Sequence, residues 1–451
     1  MSAPPAEPSE AAVAGPRLPL PTTIGGRPLY YGWYIVAVAF VASMMSSGVS
    51  AYTMGVFLKP MTAELGWTRT DISLGQTVGT VVTGFLGVAI GPTLDRRGAR
   101  ALMVIGAVVS GVGFILLGVV QELWQYYAVR GALITVGNVG MGALVVNVAL
   151  SNWFVRMRGR AIAISAMGIS VAALVLPPLS TRLIEVLGWR SAWGVIGVLT
   201  WALVIPLAAL VMRRRPEDYE LVPDGGPAAR EVRRRVYEAG DARWTRAQAA
   251  RTPALWLLIL TFGLASTGLG AILLHLVPYL TDRGFSPAAA AAGFSMIGAT
   301  GLLSKPLWGL ALERFPTRLC AASEFLLMAA GIALILAIDG AGSMYFAITV
   351  FGLGIGGVIA VQELVWANYF GRLTLGTVRS VAQPFTIISS AAGPVFAGAS
   401  FDFGGSYQRA FVVFVATYVL AAGVILATPY PRPPETRSPA QPPGAAPAPG
   451  G

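Results

Sequence analysis

Five ionisable side chains stand inside stretches that are otherwise apolar: Arg130, His275, Lys305, Glu324 and Glu363. An ionised group at the centre of a bilayer costs about 2.5–3.5 kcal/mol on insertion scales, so such residues are candidates for binding or carrying charge. Lys305 is the clearest case. It precedes Glu313 by eight residues, about 12 Å along a helix, which is too deep for a loop. A cation there suits a carboxylate ligand; the competing reading is an ammonium that snorkels to the interface along its own stem. His275, three residues before Pro278, either donates to a carboxylate or is a satisfied packing residue. Glu363 is a candidate proton carrier, and it could equally close a structural pair with Arg130; the spacing leaves both open. Glu324 reads as structural. Tyr52, Gln76, Asn138, Asn147 and Gln383 read mainly as interhelical hydrogen bonds.

Other chemistry is poorly supplied. One Cys (Cys320) and one His rule out an intrachain disulfide, a Cys-based metal site and any multi-histidine site. There is no GxxxxGK[ST] phosphate loop and no catalytic constellation. The expectation is therefore a protein that is not an enzyme and uses no metal or cofactor.

The surroundings of these residues explain their rarity. The chain has 451 residues, of which 55% are hydrophobic and 12% charged, against about 25% charged in a soluble domain. Mean hydropathy is +0.67. That argues against a soluble enzyme or a nucleic-acid binder, and it turns the net charge of +11 into a membrane-orientation signal. Twelve apolar stretches approach the roughly 20 residues a bilayer crossing needs: 33–58, 71–92, 101–120, 124–149, 159–182, 190–212, 254–280, 287–312, 319–338, 342–367, 376–401 and 406–428. Backbone amides cannot stay unpaired in hydrocarbon, so each should be a helix. They are too long and too uniformly apolar for barrel strands. With the N-terminus inside, inner segments hold 24 Lys and Arg and outer loops 6, which predicts two cytoplasmic termini. The predicted organisation is a disordered tail (1–28), a six-helix bundle (29–212), a cytoplasmic linker (213–252), a second six-helix bundle (253–430) and a disordered tail (431–451). The linker, with 10 Arg and 7 acidic residues, reads as surface helices or as a solvated connection.

The halves echo each other at a spacing of 218. Gly91, Asp95, Arg96 and Arg100 map onto Gly309, Glu313, Arg314 and Arg318; Pro60, Gly66, Trp67 and Thr68 map onto Pro278, Gly284, Phe285 and Ser286. Six crossings per repeat is an even number, so both halves enter the membrane in the same sense. Parallel repeats of this kind suit alternating access.

The loop from Gly91 to Arg100 and its degenerate copy from Gly309 to Arg318 resemble the hallmark of the major facilitator superfamily. By resemblance Gly91, Asp95, Arg96, Arg100, Glu313 and Arg314 latch two conformations without touching substrate; positive-inside anchoring accounts for the arginines but not for Asp95 and Glu313. The chain further resembles the monocarboxylate-transporter branch, including the oxalate:formate antiporter. That likeness rests on Tyr31-Gly32-Trp33, Gly55 to Pro60, Leu65-Gly66-Trp67, Trp153-Phe154, Gly188-Trp189-Arg190, Tyr369 to Arg372, Gly393-Pro394 and Asp402 to Tyr407. Lys305 occupies the branch's helix-8 cation position, with Gly301 where the animal proteins carry Asp, and Tyr52 stands in place of their helix-1 lysine. No Lys or Arg lies between Ser380 and Asp402, where the antiporter has a second cation, which argues against a dicarboxylate.

The resulting expectation is an all-α membrane protein of twelve helices in two parallel repeats, a monomer in a bacterial plasma membrane. Its partners would be a small organic anion, a proton and the bilayer. Lys305, His275 and Tyr52 would bind substrate, with Glu363 and Arg130 in proton coupling. The rival expectations are an anion exchanger, an exporter of amphiphilic compounds and a non-transporting receptor.

Overall fold

The computed structural model describes residues 20, 23–24, 27–219, 221–222, 224, 244–371 and 375–431; the side chains of 23–24, 27–28, 87–89, 91–93 and 95–97 are not among those described. Most of the expected tails and of the expected linker therefore lie outside the described residues, as do the side chains of Gly91, Asp95 and Arg96.

A two-residue ribbon, β1 (Thr23–Ile24) with β2 (Arg27–Pro28), precedes an all-helical chain. The helices are α1 (Gly32–Tyr52), α2 (Met54–Leu65), α3 (Arg69–Leu117), α4 (Leu123–Trp153), α5 (Arg158–Val211), the short α6 (Arg246–Ala250), α7 (Pro253–Asp282), α8 (Pro287–Arg314), α9 (Thr317–Leu336), α10 (Ala341–Phe370), α11 (Leu375–Gly404) and α12 (Gln408–Ala427). Ten helical stretches among the described residues are long and apolar enough to cross a membrane. As one rod the 54 residues of α5 would run about 80 Å, against a hydrocarbon core of about 30 Å. The chain instead turns back at Gly188 (φ 78°), in a conformation that costs a side-chain-bearing residue strain. Gly98 (φ 73°) breaks α3 in the same way. Counting the arms 69–97, 99–117, 158–187 and 189–211 separately gives twelve segments of crossing length.

The sequence repeat reappears in local geometry. α2 and α7 are both followed by a left-handed glycine, Gly66 (φ 70°) and Gly284 (φ 90°). Thr68 and Ser286 then cap the next helix through Asp71 N and Ala289 N, satisfying donors that a helix start leaves orphaned.

Two contacts dominate between the halves: α8 lies along the first arm of α5, and α11 along the first arm of α3. Small residues let these backbones approach, the usual device where lipid removes the hydrophobic drive for association. A Cβ on Gly298 would stand 2.5 Å from Leu174 N, and one on Gly398 2.9 Å from Thr70 N. Inside the first half, Trp193 stacks between Phe57 and Phe114 at 3.9 and 5.7 Å. One linker residue is fastened to the bundle: the Asp224 carboxylate accepts from the backbone amides of Val155, Arg156 and Met157. That contact fits neither reading of the linker made from sequence.

Candidate functional site

Lys305 lies on α8 where that helix crosses α5, seven residues beyond the close approach at Gly298. Its ammonium reaches into the opposite half and donates to Ser170 Oγ at 2.8 Å, with Ala166 O at 3.5 Å. Both partners are neutral. None of the described ion pairs includes Lys305. The stem does not snorkel to a helix end; the charge rests on the surface between the two halves.

Tyr52, 8% exposed, faces the same boundary nearer the other end, edge-on to Phe294 of α8 at 5.9 Å. Arg130 is 4% exposed in α4. It donates to Gln76 Oε1 and reaches Ser50 O at 3.4 Å, within a cavity of about 200 Å³. Glu363 is not with it. It is paired with Arg379, and its side chain is 50% exposed. Of the two readings left open by the sequence, the Glu363–Arg130 pair is not formed, because Glu363 meets a nearer cation, Arg379. Glu324 is buried on α9 beside Phe325 and Tyr418.

His275 takes the second of its two readings, a satisfied packing residue. It is fully buried in a polar closure at the end of the bundle that the sequence predicts to be outer. Arg69 opens this chain of contacts: its Nη1 donates to Asp282 Oδ2 at 2.6 Å and to the Tyr407 hydroxyl at 2.6 Å, and its guanidinium lies over the Phe401 ring at 3.4 Å. Lys59 adds a 2.8 Å bond to Asp282. Asp402 accepts from the Arg69 and Thr70 amides and the Thr70 hydroxyl, so a carboxylate of the second half caps a helix of the first, where the helix dipole favours negative charge. His275 completes the set, with Nδ1 3.0 Å from the Tyr407 hydroxyl and Nε2 3.0 Å from Pro394 O. A carbonyl can only accept, so Nε2 carries the proton and Nδ1 accepts from Tyr407. A neutral ring is fully satisfied in this way, and both of its nitrogens are committed to the closure rather than to a ligand.

The opposite end carries no comparable closure among the described residues. Arg100, Glu313 and Arg314 are exposed there and enter none of the described ion pairs.

The two halves meet through this closure, and the family model of the Major Facilitator Superfamily matches residues 36–385. The chain belongs to the major facilitator superfamily. Among its relatives, the oxalate:formate antiporter of Oxalobacter formigenes is 24% identical, covering 62% of this chain and 63% of the relative. Monocarboxylate transporter 13 of Rattus norvegicus is 23% identical, covering 89% of each. A solved bacterial homolog of the human lysosomal transporter Spinster, in an inward-facing and occupied conformation, shares the fold with a TM-score of 0.64 at 14% identity, over 88% of this chain and 96% of that one.

Sequence reasoning missed the closure of this transporter, although a signal was present. Lys59 and Arg69 flank the first turn of the first half, whereas Asp282 and Asp402 lie at the corresponding end of the second. The repeat sharpens the contrast. Glu64, the counterpart of Asp282, bonds within its own half to Trp189 Nε1 at 2.6 Å and Arg190 Nε at 2.9 Å. Those donors hold its carboxyl below the usual carboxylate range, the Trp189 bond most strongly. Asp282, 218 residues on, reaches across instead.

Proposed function

We propose that this transporter carries a small monocarboxylate across a bacterial plasma membrane by alternating access, in symport with a proton and with both termini in the cytoplasm. The observation that carries the reading is Lys305: a cation on the moving surface between the halves, held only by a hydroxyl and a carbonyl. A carboxylate is the ligand that neutralises such a charge in a medium where an isolated ion is costly. Support comes also from the relatives, which include a monocarboxylate transporter and an oxalate:formate antiporter. The coupling follows from electrostatics. An anion entering alone is opposed by about 2.3 kcal/mol per 100 mV of inside-negative potential, whereas an anion with a proton moves no net charge. Exchange of two anions is the second reading, favoured by the antiporter relative.

Counterflow in proteoliposomes with lactate, pyruvate, formate, oxalate and acetate, with and without a pH gradient, tests this function. Exchange of at least one acid and its loss in Lys305→Met are expected. Full activity in that variant removes the carboxylate role of Lys305. Export of an amphiphilic compound that survives the substitution points to an exporter, and ligand binding without flux to a receptor.

A further inference from the structure

The cavity around Arg130 belongs to the first half alone. It is lined from α1, the first arm of α3 and α4, and Lys305 is not part of its wall. Arg130 stands seven residues inside α4 from Leu123, about 10 Å from that end; Lys305 stands nine residues from Arg314, about 14 Å from the opposite end. The two buried cations therefore lie at different depths and in different halves.

The guanidinium is under-used. It carries five N–H donors, and both of its hydrogen bonds leave from Nη2. No described ion pair includes it. Gly79 lies beside Nη1, and a Cβ there would stand 2.8 Å from Thr135 Oγ1, so the missing side chain keeps this wall open. Four of the six hydroxyls on the wall are spent in the opposite sense, whereas Ser50 Oγ accepts from Asn138 Nδ2 at 2.7 Å. Ser46 donates to Ala42 O at 2.7 Å, Thr80 to Gln76 O at 3.0 Å, Thr83 to Gly79 O at 2.8 Å and Thr135 to Arg130 O at 3.4 Å. A hydroxyl has one proton, so each of these can only accept from anything that enters. The cavity thus offers one cationic fork and four hydroxyl oxygens that can only accept.

We infer that this cavity is a second anion station, in which Arg130 holds the carboxylate of a hydroxylated acid and the Ser and Thr oxygens accept from its hydroxyl groups. The inference rests on the proposed anion transport and narrows its substrate class. A plain short acid would pair with Arg130 but leave the acceptors empty, and polar groups left unpaired in a closed site are what reject an analogue. An amino acid would supply donors, yet its ammonium would face the guanidinium. The volume of about 200 Å³ equals about seven waters at roughly 30 Å³ each in the liquid, which suits an acid of few carbons.

Calorimetric titration of the full-length protein in detergent with glycerate, propionate and alanine tests the station. Wild type should bind glycerate about tenfold tighter than propionate, the worth of one good hydrogen bond, and alanine least. Thr80→Val keeps the volume and removes one acceptor, so it should bring glycerate toward propionate while propionate is unchanged. Arg130→Gln should lose both acids, and Lys305→Met should keep the preference although uptake fails. Equal binding of glycerate and propionate by wild type, a preference untouched by Thr80→Val, or loss of glycerate binding in Lys305→Met would overturn the station while leaving carboxylate transport standing. Absence of binding and counterflow for every acid would remove the transport reading itself.

Discussion

Asp282→Asn should open the end of the bundle that His275, Arg69 and Asp402 close. The carboxylate of the second half takes two cations of the first, Lys59 at 2.8 Å and Arg69 at 2.6 Å, so neutralising it removes both ion pairs across the halves and leaves two neighbouring like charges on the first half. The magnitude is set by burial. Side-chain exposures are 41% for Lys59, 10% for Arg69 and 26% for Asp282. Fully exposed pairs contribute about 0.2–1 kcal/mol, and breaking a buried pair costs about 3–5 kcal/mol. An intermediate site costs about 2 kcal/mol, a factor of about thirty in the ratio of closed to open molecules. Spin labels on Glu185→Cys and Arg409→Cys, in a Cys320→Ala background, report the distance between the halves at this end by double electron–electron resonance. Asp282→Asn should add a longer-distance population in wild-type lipid conditions. Glu64→Gln is the control, because Glu64 bonds only within its own half, and it should leave the distances unchanged. Distances in Asp282→Asn that match wild type, or a Glu64→Gln shift of equal size, would refute the reasoning.

Three further outcomes follow from single contacts. A Cβ on Gly398 would stand 2.9 Å from Thr70 N, so Gly398→Val should hold the same labels apart and lower counterflow at least tenfold; wild-type distances would show that α11 slides freely past α3. Asp224→Ala strips three backbone amides of their acceptor and should destabilise the protein by about 1–3 kcal/mol, read as a lower melting temperature in detergent; an unchanged melt would show that water serves those amides equally well. Glu363→Gln releases Arg379 and should weaken the response of uptake to a pH gradient, whereas a full response would remove Glu363 from proton coupling.

The apolar helices and the two-fold repeat were legible in the sequence because the bilayer imposes them one segment at a time: about 20 apolar residues make a helix wherever they occur. The depth of Lys305 was legible for the same reason, since it depends only on rise per residue along one helix. Which charges meet was not legible. Glu363 and Arg130 looked like partners in a list of buried ions, yet Arg379 lies nearer to Glu363 and nothing in the spacing says so. His275 looked like a ligand, yet Tyr407 lies 132 residues along the chain and takes its Nδ1.

The sequence alone determined the solvent of this protein, its all-helical architecture and the cations that hydrocarbon makes expensive. The tertiary structure decided which half each cation answers to: Arg69 to an aspartate across the boundary, Arg130 to a cavity within its own half, and Lys305 to a neutral hydroxyl on the opposite helix. The physical reason is range. Helix formation is settled by neighbours within a few residues, whereas an ion pair is settled by the few ångströms between side chains that only the packing of distant helices brings together.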